Sequence, residues 1–295
     1  MTIQYISSLD FKNLIKTSKN LSIGFSIALS SLFPSYLKAE ETPDLCKDVL
    51  GTLDTSTGAY SKTAAEILAD RTTFCAGTPD RFEITIYEMG LCTSNPITGS
   101  PKAFSKTNCV ESMVSTSGVT SDLAGATVDL PSASARPANN TYTYAYIVIK
   151  NTFGLKGSLK ISDGSGGVHQ YCSTSDGSST SAAASCTPVN HTETLTSFAD
   201  TFSPDFGPAE MPSGGEVSAI LTDSSLVRAT EGGVERLIGV FATNAGTPVV
   251  INDSVSGLEV ELQVTDGGYG IEFNSNTGEV IDFGSMPFKP VFTTY

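Results

Sequence analysis

Apolar and polar residues alternate along much of the chain with the two-residue period that is typical of half-buried β-strands. In residues 82–89, the period places Phe82, Ile84 and Ile86 on one face. Residues 141–150 (TYTYAYIVIK) follow the same period. Clusters of Gly, Asn, Asp and Ser separate further short segments, which we also predict to be strands. These are residues 157–162, 168–172, 216–222, 236–243, 248–252, 258–265, 268–273 and 287–294.

One short helix is predicted at residues 61–70 (SKTAAEILAD), with Ser61 as its N-cap. Many short strands with few helices favour a mainly β fold, an antiparallel β-sandwich or jelly roll, over a βαβ architecture. Residues 115–140 and 173–187 are rich in Ser, Thr and Ala, and both are predicted to be exposed loops. The disulfide-stapled loops and the helix fall in the N-terminal part.

The N-terminus has the order of a secretory signal. Lys12, Lys16 and Lys19 precede an uncharged apolar stretch at residues 21–33, and a polar run follows. This stretch is shorter than the ~20 residues that span a bilayer, so we expect cleavage after Ala39 and no transmembrane span in the mature chain. An uncleaved anchor and a buried helix are the alternatives. Export would place the protein outside the cell, at the cell surface or in the periplasm.

Removal of the signal would leave two parts. Residues 40–140 are predicted to form a disulfide-held N-terminal part, and residues 141–295 a β-sandwich core. The two parts are alternatively one continuous domain, and two smaller sandwiches that meet near residue 200 are a further possibility.

The six cysteines all follow the predicted signal, as expected of a disulfide framework in an exported protein. Turn-forming residues lie between sequential neighbours, so nearest-neighbour pairing is favoured. The alternative is metal ligation, but the chain has no CxxC motif, and the two histidines are not at zinc-finger spacing. The candidate pairs are Cys46 with Cys75, Cys92 with Cys109, and Cys172 with Cys186.

The charge of the chain limits its partners. Removal of residues 1–39 takes away four lysines and one aspartate, which changes the formal charge from −14 to −17. Basic runs that would neutralise phosphates are missing from the mature sequence, so binding to nucleic acid or to anionic lipid is not expected.

The sequence contains no recognised catalytic motif. A Ser-His-Asp triad would need His169 or His191 as its base, but no GxSxG elbow is present. HExxH, GxGxxG and Walker motifs are also missing. We therefore expect a protein without catalytic activity and without a cofactor. Two carboxylates alone would be sufficient for a polysaccharide hydrolase, which stays open.

Two features suggest binding. Tyr142, Tyr144 and Tyr146 share one face of the predicted strand, and an exposed face would offer an aromatic surface to glycan or to a neighbouring subunit. We favour the alternative, in which the strand is central and both of its faces are buried. The acidic turns at residues 163–167 (DGSGG) and 265–268 (TDGG) offer oxygen ligands for calcium, although neither has EF-hand spacing.

The C-terminus is an extended aromatic segment that contains Phe288, Val291, Phe292 and Tyr295. It is predicted either to complete a sheet of its own fold or to add to the edge of a neighbouring subunit. The sequence thus favours an exported structural protein, a self-assembling subunit or an adhesin-like module. The alternatives are a secreted module that binds glycan or calcium, and the hydrolase.

Overall fold

The computed structural model describes residues 44–124, 136–182, 185–199, 201–210, 215–243 and 248–295. The predicted signal at residues 1–39 lies outside this described part. Within it, the protein is mainly β, and its sheets are built from antiparallel strand pairs with one short parallel contact. The predicted mainly β, sandwich-like fold class is confirmed. Neither helix of the described residues has the length and apolar character needed to cross a membrane.

In the described residues, the helices are α1 (Cys46–Val49) and α2 (Ala64–Ala69). The strands of the first half are β1 (Leu53–Asp54), β2 (Ala59–Tyr60), β3 (Phe74–Gly77), β4 (Arg81–Cys92), β5 (Ile97–Thr98), β6 (Ala103–Phe104), β7 (Cys109–Asp122), β8 (Asn140–Tyr142) and β9 (Tyr144–Lys150). The strands of the second half are β10 (Thr152–Lys156), β11 (Ser158–Ser162), β12 (Val168–Ser173), β13 (Ser179–Ala182), β14 (His191–Thr194), β15 (Asp205–Glu210), β16 (Glu216–Thr222), β17 (Arg236–Ala242), β18 (Val249–Ile251), β19 (Leu258–Gln263), β20 (Tyr269–Phe273), β21 (Val280–Ser285) and β22 (Lys289–Thr294).

Helix α2 lies within the predicted segment, but its N-cap is Thr63 and not Ser61. The Thr63 hydroxyl accepts a hydrogen bond from the Glu66 amide at 3.3 Å, and the Glu66 carboxylate accepts one from the Thr63 amide at 2.8 Å. This reciprocal pair is a capping box. Ser61 instead accepts a hydrogen bond from the Thr52 amide at 3.0 Å. The helix therefore begins two residues later than the serine cap implied.

An eight-stranded sheet forms the centre of the molecule, in the order β14-β10-β4-β9-β17-β16-β15, with β7 paired to β4. The predicted face of β4 is confirmed, because Phe82, Ile84 and Ile86 are all buried in the main core. Strand β4 comes from the predicted N-terminal part and β9 from the predicted sandwich core. These two parts of the chain thus contribute to one continuous sheet.

Two smaller sheets and both helices cover one face of the central sheet. The first has the order β1-β2-β11-β12-β13, and the second has the order β21-β20-β3. Their apolar residues, such as Leu159, Tyr171 and Ile271, join the main core with those of the central sheet. The opposite face has its own core around Tyr146, Val148 and Ile238, which Phe104 of β6 helps to cover. Strand β9 is therefore buried on both faces, which explains its near-continuous apolar sequence.

The central sheet divides at Asn151, the single residue between β9 and β10. On one side of this point β17 pairs with β9, and on the other side β14 pairs with β10. The buried Asn151 amide nitrogen donates to the carbonyl oxygens of Leu195, at 3.1 Å, and Val234, at 3.3 Å. One side chain thus links the ends of the two diverging branches.

The three disulfides join the expected neighbours, namely Cys46 with Cys75, Cys92 with Cys109, and Cys172 with Cys186. The pairing prediction is confirmed. Metal ligation by these cysteines is excluded because all six are oxidised. Such a set of bonds indicates that the protein resides in an oxidising compartment.

Part of the predicted loop at residues 115–140 is strand. Strand β7 continues to Asp122 and pairs with β4, from Cys92 opposite Cys109 to Glu83 opposite Asp122. Residues 125–135 of that prediction lie outside the described residues. The second predicted loop, residues 173–187, contains β13, which pairs with β12. Neither of these polar segments has an apolar period. Hydrogen bonding to a neighbouring strand stabilises both of them.

Candidate functional site

The three predicted aromatic residues do not form one exposed surface. Tyr142 is only 2% exposed and Tyr146 only 1%, and Tyr144 is partly buried. Tyr142 lies in a different hydrophobic cluster from Tyr146, because the strand is interrupted at Thr143. Of the two interpretations, the structure has the buried one for Tyr142 and Tyr146.

The C-terminal segment is paired within its own chain. Strand β22 runs antiparallel to β19, with Val291 opposite Glu261 and Phe292 opposite Val260. Phe288 is buried against the rings of Phe82 and Phe241, with centroid distances of 6.1 and 5.9 Å. Tyr295 is 69% exposed. Of the two predicted roles, the structure has the intramolecular strand.

The acidic turns use their carboxylates internally. Asp163 Oδ1 accepts hydrogen bonds from the amides of Ser165 and Gly167, at 2.8 and 2.9 Å. Asp266 Oδ2 accepts one from Lys47 Nζ at 2.7 Å. Within the described ranges, no group of three His, Cys, Asp or Glu side chains is arranged to hold a metal ion.

A cavity of about 110 Å³ lies where the central sheet divides. Phe153 and Leu195 line it from the β10–β14 branch, and Ile149 and Leu237 line it from the β9–β17 branch. Strands β3, β15, β16, β20 and β21 and the segments that follow β14 and β21 complete the wall. Hydrocarbon dominates this surface, and its aromatic side chains are Phe74, Phe153, Phe198, Phe206, Phe241, Phe283 and Phe288.

Two glycines in the wall of the cavity allow aromatic rings to pack against the backbone. A β-carbon at Gly270 would lie 2.6 Å from Cζ of Phe74, so only glycine allows that ring to lie across β20. A β-carbon at Gly239 would lie 3.3 Å from Cζ of Phe241. Both glycines line the cavity, where the absence of a side chain allows close approach of an aromatic ring.

No protein-family model, curated protein or solved structure matches this chain. The chemistry of the cavity is therefore the basis for its functional interpretation. Three carboxyl groups line it, those of Glu193, Glu272 and Asp282. Glu272 and Asp282 lie directly opposite each other on β20 and β21, and Glu193 projects from β14.

Glu193 is the carboxyl group on the β14 side of the cavity. Burial raises its pKa, and this effect outweighs the amide and the hydroxyl of Ser285, which favour the ionised form. The Ser285 amide donates to Glu193 Oε2 at 2.5 Å, which connects β14 to the end of β21. A carboxyl group with a raised pKa in a cavity is a candidate for a binding role.

The same strand holds His191, two residues before Glu193. Its ring is buried beside Tyr269, at a centroid distance of 6.4 Å, and burial lowers its pKa. His169 stacks on Tyr171 at 4.9 Å, outside the cavity lining. The two histidines thus lie in separate environments, and the structure does not bring them together as a pair.

Sequence reasoning missed Glu193 because Thr192 and Thr194 made residues 190–194 (NHTET) resemble a loop. The segment alternates, with Thr192 and Thr194 exposed and His191 and Glu193 turned inward. Extension of the period to Leu195 would have predicted a strand with an inward-facing carboxyl group.

Proposed function

We propose that this chain is an exported, non-catalytic binding protein whose ligand occupies the cavity at the division of the central sheet. The predicted signal and the three disulfides support an extracellular, cell-surface or periplasmic location. The cavity itself carries the proposal. A protein interior is normally packed at crystal-like density, so an apolar void of about 110 Å³ in the main core requires a reason.

The size of the cavity limits its ligand. Engineered apolar cavities of ~150 Å³ bind benzene, so this one suits a single ring or a short alkyl chain. Most of its wall is hydrocarbon, and beyond its three carboxyl groups it offers few hydrogen-bond partners for the hydroxyl groups of a sugar. Glycan and polysaccharide are therefore less suitable ligands for this cavity than a compact apolar molecule.

Calorimetric titration of the oxidised mature chain with benzyl alcohol tests this proposal. We expect saturable binding of one molecule per chain. Ala219→Phe places a ring where a lining methyl group stands and should abolish the binding. Ala103→Phe is the same change on an exposed position of β6 and should leave it intact.

A second variant tests the cavity independently, in case Ala219→Phe does not fold. Leu237→Ala enlarges the cavity and should shift the preference toward larger alcohols such as naphthyl methanol. Absence of saturable binding to the wild-type chain, or equal loss in the Ala103→Phe control, would argue against a ligand in this cavity.

Self-assembly is a second proposal. Strand β19 pairs only with β22 in the described part of the chain, so its other edge is available for a strand of a second copy. Light scattering of the mature protein would give ordered high-mass particles if this edge drives assembly. A monomeric mass would contradict it.

The carboxylate-dependent hydrolase is a third proposal, since Glu272 and Asp282 line one cavity from opposed positions. Glu272→Gln should abolish any hydrolytic activity that the chain has toward polysaccharide. The small apolar cavity favours the binding protein over this enzyme.

A further inference from the structure

Glu193 is an ionisable side chain on an otherwise apolar stretch of the cavity wall. It lies opposite Phe153 in the pairing of β14 with β10, and Phe153 and Leu195 both line the same cavity. A leucine or methionine at this position would extend the apolar wall and would avoid the desolvation of a carboxyl group. Apart from the hydrogen bonding with Ser285, the surroundings of Glu193 do not call for a carboxyl group.

The local contacts of Glu193 leave hydrogen-bonding capacity for a ligand. Its Oε2 accepts from the Ser285 amide at 2.5 Å. An ionised carboxylate has two oxygens and about four lone-pair sites, so the amide and the hydroxyl of Ser285 occupy only part of this capacity. Gly284 lies beside the group, and a β-carbon there would be in ordinary van der Waals contact with Glu193 Oε2, at 3.5 Å.

The charge of the cavity has one sign. Its described lining residues include the carboxyl groups of Glu193, Glu272 and Asp282 and no Lys, Arg or His. The mature chain is itself strongly acidic. A cation that enters the cavity meets a favourable potential, whereas an anion of the same shape is repelled.

We propose that the ligand of this cavity is a small primary amine, with its ring or alkyl chain against the phenylalanine side chains and its ammonium group bound by Glu193. This inference rests on the proposed binding function and specifies its ligand class. The ammonium has three donors and no acceptor, which matches a carboxylate that accepts. Hydrogen bonds between two charged groups are also the strong ones.

Three ligands of one shape test the inference: benzylamine, benzyl alcohol and benzoate. Calorimetry at neutral pH on the oxidised mature protein should give roughly tenfold tighter binding of benzylamine than of benzyl alcohol, which corresponds to about 1.4 kcal/mol. Benzoate should not bind measurably.

Glu193→Gln keeps the shape of the side chain and removes its charge. We expect it to lose the preference for benzylamine and to bind benzyl alcohol as the wild type does. Glu259→Gln removes an exposed charge on β19 and should leave the preference unchanged, which controls for net charge.

The possible failures are distinguishable. Equal or weaker binding of benzylamine than of benzyl alcohol by the wild-type chain would overturn the amine inference and would leave the apolar binding site in place. Retention of the amine preference by Glu193→Gln would also overturn it. Failure of all three ligands to bind would remove the proposed function itself.

Discussion

The hydroxyl group of Tyr146 donates a hydrogen bond to Oε1 of Glu88, at 2.5 Å, within the central sheet. Lys106 Nζ contacts the same oxygen at 2.9 Å and reaches Glu111 at 2.6 Å. Glu88 is only 8% exposed, and the tyrosine and the lysine satisfy its carboxylate. The ring of Tyr146 lies directly against Gly90, where a β-carbon would be 2.4 Å from Cε1.

Tyr146→Phe should destabilise the protein, because it removes a donor from a nearly buried carboxylate. We expect a loss of about 1 to 3 kcal/mol in the free energy of unfolding, measured by urea titration. Tyr144→Phe is the matched control on the same strand, and it should change the free energy of unfolding by less than about 0.5 kcal/mol. Equal effects of the two variants would show that the hydrogen bond to Glu88 contributes little.

Phe288→Ala should be strongly destabilising. Its ring packs between Phe82 and Phe241 in the main core, and truncation of a buried phenylalanine costs about 3 to 5 kcal/mol. Tyr295→Ala, at the exposed end of the same segment, should have almost no effect on the midpoint of urea unfolding. If Phe288→Ala unfolds at the wild-type midpoint, the intramolecular docking of the C-terminal segment is wrong.

His191 should make the protein less stable in mild acid. Burial lowers its pKa in the folded state, and the backbone of Phe283 and Val189, together with the negative charge of Asp176, only partly opposes this effect. The unfolded chain therefore binds more protons below about pH 6.5, the ordinary histidine value. Stability is present above that pH and is lost as the pH falls toward the folded-state pKa.

A His191→Gln variant tests this pH dependence. Its stability should depend less steeply on pH below about pH 6.5, by at most about 1.4 kcal/mol per pH unit for one proton. Because the variant and the wild type share all other titrating groups, the difference between their curves isolates His191. A His191→Gln curve parallel to that of the wild type would be evidence against a buried neutral imidazole.

Glu193→Gln should increase stability at neutral pH. Burial raises the pKa of this carboxyl group, so its contribution to stability is complete below the unfolded value of about 4.3 and is lost as the pH rises through the folded-state pKa. The amide carries no charge to desolvate, and we expect a gain of about 1 kcal/mol at pH 7 in urea unfolding. A loss of stability would mean that the charge is well solvated in the empty cavity.

The disulfide pairing should be recovered from the exported protein. Proteolysis without reduction, followed by mass spectrometry, should give one linked peptide for each pair, Cys46 with Cys75, Cys92 with Cys109, and Cys172 with Cys186. Replacement of Cys172 and Cys186 by alanine should cost roughly 3 kcal/mol for a loop of this length. Any other linked pair would contradict the fold, since Cys92 and Cys109 are opposed on β4 and β7.

Periodicity predicted the strands whose outward and inward residues differ clearly in polarity. Residues 216–222 were predicted from sequence and coincide with β16, and the inward face of β4 was also correct. Strand β7 was largely missed, because its Ser and Thr residues carry no apolar period and it is held by hydrogen bonds to β4. The break at Thr143 was missed because a period is present where the strand ends. The alternating tyrosines continue through Thr143 without interruption.

The cavity could not be predicted from the sequence. It depends on where distant strands diverge, and its wall combines residues from β3 to the segment before β22. The inward alternation around Glu193 was present in the sequence, but the residues opposite it were not identifiable. The local hydrophobic period indicates which face of a strand a side chain lies on. The long-range strand pairing determines which residues that side chain contacts.

Asn151 affects the width of the cavity from a position outside the cavity lining. Asn151 does not line the cavity, yet its amide connects the ends of both sheet branches through Leu195 and Val234. The angle between these branches determines the separation of their facing side chains, and so the width of the space between them. A change at this one position would therefore alter the size of molecule that fits, with every residue that touches the molecule left as it is.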